Sequence, residues 1–298
     1  MRIALPVLGA LALCAASSLQ AQPKPLSFID AHSHYDEASG DEEIATFRRA
    51  GLAGVIIMDP EPGRLQALAK RNRGYVAPFY SIARTPQMKG ERLGPTSAAT
   101  LGKARDAGEV CGFGEIPTRI EPRTSTDDVA LEGADRRQVY AAANARRTPV
   151  SLHVSLETPA VTAAIDRTAS AYPDMPLILA HAGWVAGADV IGALLAAHPN
   201  LYADLSIRLD PAKPENANDI SILTADGALK PEWRALIARY PDRFLFAMDV
   251  SGADREKRVP ELLAVATKAL SPLPRKVQEQ VAGGNTLKLL HGCGGLHG

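Results

Sequence analysis

Cysteine is scarce in this sequence, which excludes the small proteins that several disulfides hold together. Three cysteines occur in 298 residues, so no disulfide framework is implied, even for an oxidising compartment. Cys111 lies in an apolar segment, where a cysteine usually packs as a small buried hydrophobic residue, although a role as a nucleophile is an alternative. Hydrophobic residues make up 46% of the chain, as is ordinary for a soluble globular protein.

An excess of charge of either sign is also missing. The 33 lysines and arginines balance 33 aspartates and glutamates. A protein that binds nucleic acid usually shows clustered basic residues, because much of its affinity comes from contacts with phosphates. We therefore expect no nucleic-acid partner.

Long apolar runs are confined to the N-terminus. Arg2 is followed by an apolar segment over residues 3–16 and then by small residues up to Ala21, which is typical of a secretory signal peptide. The run is too short to span a bilayer comfortably. An uncleaved anchor and a lipid on Cys14 are the alternatives. Leu13 is larger than the residue that usually precedes a lipidated cysteine, which argues against the lipid. We expect residues 1–21 to be removed, and residues 22–298 to form one periplasmic or secreted domain without a stable membrane anchor.

The rest of the chain alternates between short segments rich in β-formers and segments with helical periodicity. Strands are predicted over residues 26–31, 54–58, 75–82, 109–115, 149–153, 176–181, 201–206 and 243–249. Helices are predicted over residues 41–50, 64–71, 97–107, 134–146, 159–172, 187–198, 231–240, 259–270 and 274–290.

This alternation predicts an α/β fold with parallel strands and right-handed crossovers. Eight strand–helix units in a chain of this length indicate a (β/α)₈ TIM barrel. An open, doubly wound sheet is the alternative, but its usual G-x-G-x-x-G motif is missing after the first strand. Internal repeats and low-complexity segments are missing as well.

Polar residues stand at the ends of the predicted strands, where the active site of such a barrel lies. A lone histidine there is usually structural, and a lone carboxylate usually pairs with a base. Many buried titratable groups at one barrel mouth would be costly without a cation. Imidazole and carboxylate are common ligands of zinc and related ions, so we expect a divalent metal, zinc first among them. The candidate ligands are His32 and His34 on one face of strand one, Glu115 on strand four, His153 on strand five, His181 on strand six and Asp249 on strand eight.

Three motifs and the order of these ligands resemble the amidohydrolase superfamily of metal-dependent hydrolases. The motifs are FIDAHSHYD at 28–36, LILAHAGW at 177–184 and GNTLKLL at 284–290. They look most like the amidohydrolase-related branch, which also includes decarboxylases. CGFGEI at 111–116 is similar to the fourth strand of TatD-type deoxyribonucleases. The sequence departs from the branch at MDVS, 248–251, where Ser/Thr-Asp-x-Pro is common, so the substrate contacts there are open.

The resemblance implies one of two metal arrangements. In the binuclear arrangement, Glu115 bridges two ions, one held by His32, His34 and Asp249 and the other by His153 and His181. In the mononuclear arrangement, His32, His34, His153 and Asp249 hold one ion, and His181 acts as an acid, base or electrophile. The family often places a carbamylated lysine on strand four, and no lysine occurs there; Glu115 favours two ions.

The ligand set predicts the hydrolysis of an amide, lactone or ester in a small molecule, with Asp249 as the general base and His181 beside it in the catalytic site. Four residues beyond strand ends are candidates for substrate contacts. Three are arginines that can bind a carboxylate or phosphate, although exposed arginines are ordinary, and the fourth is a tryptophan that can line the pocket or pack beneath a loop. They are Arg84, Arg119, Arg208 and Trp184.

Other functions are compatible with the same residues. They are a mononuclear decarboxylase, a TatD-like nuclease, and a barrel that binds a metal or ligand without catalysis. Balanced charge argues against a nuclease, and the complete ligand set with Asp249 argues against an inactive site. The oligomeric state and the identity of the substrate stay open.

Overall fold

Eight parallel strands, paired in sequence order from β1 to β8, form the centre of the molecule. The computed structural model describes residues 24–82, 93–118, 131–211, 220–293 and 296. The predicted signal peptide, Arg84 and Arg119 lie outside these residues. The strands are β1 Ile29–His34, β2 Gly54–Asp59, β3 Val76–Tyr80, β4 Gly112–Pro117, β5 Val150–His153, β6 Leu177–Leu179, β7 Leu201–Asp204 and β8 Phe244–Leu245.

The sheet closes through hydrogen bonds between β1 and the segment that contains β8. The Ala31 amide donates to the carbonyl of Phe246 at 2.9 Å, and the His34 amide donates to the carbonyl of Val250 at 2.8 Å. These bonds join the first and last strands, so the predicted TIM barrel is confirmed and the open sheet is excluded.

Helices follow the strands in the predicted order. Several begin with a proline in the first turn, where the missing N–H costs no hydrogen bond. The helices are α1 Asp41–Arg49, α2 Pro62–Arg71, α3 Ser97–Asp106, α4 Ala134–Asn144, α5 Pro159–Ala171, α6 Ala188–Ala197, α7 Pro231–Arg239, α8 Ala253–Glu256, α9 Val259–Leu270, α10 Arg275–Glu279 and α11 Asn285–Leu289. None of the helices in the described ranges is long and apolar enough to cross a bilayer.

Alternation along the strands creates two apolar layers. On β2, Val55 and Ile57 belong to the cluster between sheet and helices, whereas Ile56 and Met58 belong to a smaller cluster inside the barrel. Successive strand residues point to opposite faces, so a continuous apolar run serves both layers. This core holds the strand ends, and the polar residues on them, in fixed positions.

Strands six and eight are shorter than predicted, and the predicted last residue of each has a left-handed backbone. The backbone at His181 has φ 54° and that at Asp249 has φ 53°, in the left-handed region that a strand cannot continue through. Both residues therefore lie beyond the ends of their strands. Non-glycine residues in this conformation are typical of functional sites, where the surrounding structure holds them.

A disulfide joins Cys111 to Cys293, across 182 residues of sequence. The expectation that Cys111 is buried is confirmed, since it is 2% exposed, but it forms a disulfide that the sequence did not imply. Cys111 directly precedes β4, at the end of the barrel opposite the strand ends that carry the polar residues. The bond ties the C-terminal segment to that end.

Candidate metal centre

Two histidines of β1 reach the same point at the mouth of the barrel. Their Nε2 atoms lie 3.2 Å apart, because residues two apart on a strand share a face. His32 is fully buried, and His34 is partly exposed. Oδ1 of Asp249 lies 3.6 Å from Nε2 of His32 and 3.4 Å from Nε2 of His34. The structure therefore brings these three predicted ligands together.

Glu115 on β4 lies between this group and a second pair of histidines. Its Oε2 is 3.7 Å from Nε2 of His34. Its Oε1 is 2.7 Å from Nδ1 of His153 and 3.3 Å from Nε2 of His181. The carboxylate is 1% exposed, and its Oε1 also lies 3.7 Å from Nε2 of His32, so Glu115 contacts ring nitrogens of both histidine groups.

The glycine before Glu115 allows β4 to approach β5 closely. Gly114 has φ 133°, and a Cβ on it would lie 2.6 Å from the carbonyl oxygen of Ser151. Any larger residue would push the two strands apart. The GFGE sequence therefore sets the position of the Glu115 carboxylate relative to His153.

His181 stands on a left-handed turn that Arg208 holds from below. His181, Ala182 and Trp184 all have positive φ. The guanidinium of Arg208 donates to the carbonyls of Ala182 at 3.3 Å, of Ala186 at 3.0 Å and of Trp184. Arg208 is 3% exposed. The predicted substrate clamp is thus turned inward, and its donors satisfy backbone carbonyls of the turn.

Trp184 lies where it can line the pocket. Its ring centroid is 5.0 Å from that of His181 and 5.7 Å from that of His153. The side chain is partly exposed, so it forms a wall beside the second histidine pair. The substrate contact of Trp184 stays a prediction.

Burial and neighbouring carboxylates set the charges of the site. Burial lowers the pKa of His181 to about 3, so its imidazole is neutral, as a metal ligand must be. Burial alone would lower the pKa of His32, but the carboxylates of Asp204, Asp249 and Asp30 outweigh it and raise that pKa. Burial would raise the pKa of Asp249, but the hydrogen bond from His34 and the charge of His32 lower it well below its usual range.

Two polar residues of this site were not predicted. Asp204, the last residue of β7, accepts a hydrogen bond from Nδ1 of His32 at 3.0 Å. Ser206 lies 2.8 Å, Oγ to Nδ1, from His181. Both are fully buried. A buried acid in an apolar strand needs a partner, so Asp204 in the sequence LYADLS carried a signal, but nothing in the sequence identifies that partner.

The donor atoms fit one or two divalent ions. Three sets of side chains have ligand atoms within 4.8 Å of one another: His32, His34 and Glu115; Glu115, His153 and His181; and His32, His181 and Asp204. Imidazole and carboxylate donors are typical of zinc. In the third set both oxygens of Asp204 already accept hydrogen bonds, which identifies Asp204 as a support for ligands. The first two sets share Glu115.

The sequence model of the amidohydrolase family matches residues 29–292. None of the curated proteins gives a significant match.

Solved structures share the fold at low sequence identity. An amidohydrolase from Burkholderia multivorans with bound zinc is 16% identical, with a TM-score of 0.53, over 91% of this chain and 100% of that one. A probable 2-pyrone-4,6-dicarboxylic acid hydrolase from Acinetobacter baumannii is 9% identical, with a TM-score of 0.56, over 89% and 99%. A TatD homologue from Escherichia coli is 18% identical, with a TM-score of 0.60, over 88% and 97%. Because the family match spans residues 29–292, the chain belongs to the amidohydrolase family.

Proposed function

We propose that this protein is a metal-dependent hydrolase of a small molecule and that two divalent ions share Glu115. The position of Glu115 is the observation that carries the proposal. Its Oε2 faces His34, and its Oε1 faces His153, His181 and, at 3.7 Å, His32. A single buried carboxylate between two sets of imidazoles suits a bridging ligand better than a ligand of one ion.

His181 also favours two ions over one. His181 is 1% exposed, and its Nδ1 is hydrogen-bonded to Oγ of Ser206. A general acid or base must reach the substrate or its water. Only Nε2 of His181 faces the site, beside Glu115, so a ligand role accounts for the geometry. We therefore place His181 among the metal ligands and leave acid–base catalysis to Asp249.

The chemistry follows from these ligands. A bound divalent ion lowers the pKa of its water towards about 7 and polarises the bond to be cleaved. The Asp249 side chain is 19% exposed, whereas that of Glu115 is 1% exposed, so Asp249 is the carboxylate that a substrate can approach. Its low pKa keeps it ionised. It can accept a proton from the attacking water and return it to the leaving group.

We also propose that the protein acts in the periplasm or after secretion. The N-terminal sequence supports this location, and so does the disulfide, because disulfides persist in oxidising compartments. Intact-mass measurement of protein from the cell envelope tests it. A chain that begins near Gln22 is the expected result, and a chain that keeps Met1 in the cytoplasm would contradict it.

Metal analysis and a substrate panel test the function. We expect close to two ions per active chain and turnover of an amide, ester or lactone. A pyrone dicarboxylate belongs in the panel, since a protein of similar fold carries that name. Release of CO₂ by an enzyme with one ion would favour the decarboxylase, and cleavage of DNA would favour the nuclease. Metal uptake without turnover of any substrate would contradict the proposed hydrolase.

A further inference from the structure

The carboxylate of Asp204 lies beneath the site and connects its two histidine groups, which are His32 with His34 and His153 with His181. Its Oδ2 accepts the bond from Nδ1 of His32 at 3.0 Å. Its Oδ1 accepts from the backbone amides of His181 at 3.0 Å and Ser206 at 3.1 Å, and from the hydroxyl of Ser206. Both oxygens are therefore engaged: Oδ2 by a ring of β1, and Oδ1 by donors of the segments that follow β6 and β7.

The same network extends to the second group through Ser206. Because the hydroxyl proton of Ser206 points to Asp204, its lone pairs are left to accept a hydrogen bond. The ring atom within reach is Nδ1 of His181, 2.8 Å away. Nδ1 of His181 must then carry a proton, as Nδ1 of His32 does opposite Asp204. The proton-free nitrogen of each ring is Nε2, which is the atom that faces Glu115.

We propose that Asp204 and Ser206 are positioning residues that fix the tautomers of two candidate metal ligands, His32 and His181. The inference rests on the proposed metal-dependent function. Asp204 fixes the tautomer of His32 by a direct hydrogen bond, and that of His181 through Ser206. Partners of this kind orient ligating imidazoles and raise their basicity. One buried carboxylate thus orients a ligating ring in each of the two histidine groups.

The structure predicts which way an amide at position 204 would face. The backbone amides of His181 and Ser206 both need an acceptor at the place of Oδ1. In Asp204→Asn the carbonyl oxygen would take that place, and the NH₂ group would face Nδ1 of His32. The His32 ring would then have to accept a hydrogen bond at Nδ1 and carry its proton on Nε2. A protonated Nε2 has no lone pair with which to bind a metal. The change keeps the size of the side chain and reverses the tautomer.

Ser206→Ala should affect the other group. It removes the acceptor for Nδ1 of His181 and leaves the bond between Asp204 and His32 intact. A matched control is Asp59→Asn. Asp59 is also a buried carboxylate at a strand end, but it pairs with Arg64 at 2.7 Å and accepts from the amide of Glu61. Its replacement tests the loss of a buried charge without a change at a ligand.

The experiment is a titration of the metal-free proteins with Zn²⁺ by calorimetry. Asp204→Asn and Ser206→Ala should each lower the affinity for one of the two ions by about 10- to 100-fold. The double variant should weaken both, and Asp59→Asn should match the wild type. Circular dichroism shows that each variant is folded.

Nitrogen-15 NMR of the metal-free proteins at alkaline pH reads the tautomers directly. The proton of His32 should lie on Nδ1 in the wild type and on Nε2 in Asp204→Asn. An unchanged tautomer, or wild-type affinity for both ions in folded Asp204→Asn and Ser206→Ala, would overturn the inference. If the wild type binds no zinc, the proposed function fails, whereas the tautomer measurement still decides the role of Asp204.

Discussion

The disulfide between Cys111 and Cys293 should make a large contribution to stability and none to catalysis. It closes a loop of 182 residues. In the chain-entropy treatment, a cross-link of that span destabilises the unfolded state by about 5 kcal/mol. Removal of a native disulfide typically costs about 2–5 kcal/mol, so the calculated value is an upper limit. For a domain of this size, that range corresponds to a decrease in Tm of roughly 3 to 9 °C.

The assay compares Cys111→Ala, Cys293→Ser and the double variant by calorimetry at one scan rate. Each single variant should lower Tm about as much as the double variant, because each removes the same bond. A reductant should lower the Tm of the wild type and leave the variants unchanged. Turnover per folded molecule should stay at the wild-type value, since Cys111 stands before β4, whereas the candidate ligands stand towards or beyond the carboxyl ends of the strands.

Two results would refute this reasoning. Additive losses from the single variants would mean that packing of each side chain, and not a shared bond, stabilises the protein. An unchanged Tm in all three variants would mean that the bond is absent or does not constrain the unfolded chain. Loss of turnover at full stability would contradict the separation between the disulfide and the site.

Four further changes test the site and its surroundings. Asp249→Asn should lower kcat at least about 100-fold in a folded, metal-loaded enzyme and remove the acidic limb of its pH–rate profile; near-normal kcat would exclude Asp249 as the base. Glu115→Gln should lower the metal content of the saturated enzyme from two ions towards one by elemental analysis; wild-type content would exclude a bridging role. Burial raises the pKa of Glu43 from 4.5 to about 8, and its Oε1 has no hydrogen-bond partner among the described residues. The folded state therefore binds this proton more tightly, so Glu43 should lower wild-type stability from pH 5 to pH 8 by at most about 5 kcal/mol. Glu43→Gln should lose less stability over this range in denaturant titrations, although Asp30, whose pKa burial raises to about 7, still contributes; parallel curves would refute this. Arg208→Lys should lower Tm and metal affinity together, because a single ammonium cannot reach the carbonyls that the guanidinium spans; wild-type values for both would show that the turn holds without it.

Local pattern was sufficient to predict the fold and to place the candidate metal ligands at the barrel mouth. Eight alternations of strand and helix require a parallel sheet, because a parallel connection needs a crossover. The two β1 histidines share a face because side chains alternate along a strand. The remaining ligands, Glu115, His153, His181 and Asp249, could be located because the carboxyl ends of barrel strands meet at one mouth.

Contacts between distant segments were decided by the tertiary structure alone. Asp204 meets His32 across 172 residues of sequence, and Cys111 meets Cys293 across 182. No periodicity encodes such a pair, because which side chains meet depends on how the strands are tilted and how their turns bend. Arg208 shows the same limit. From its place after strand seven it was expected to face a substrate, but the left-handed turn at His181 presents a set of carbonyls that needed its donors, and this turn exists only in the folded chain.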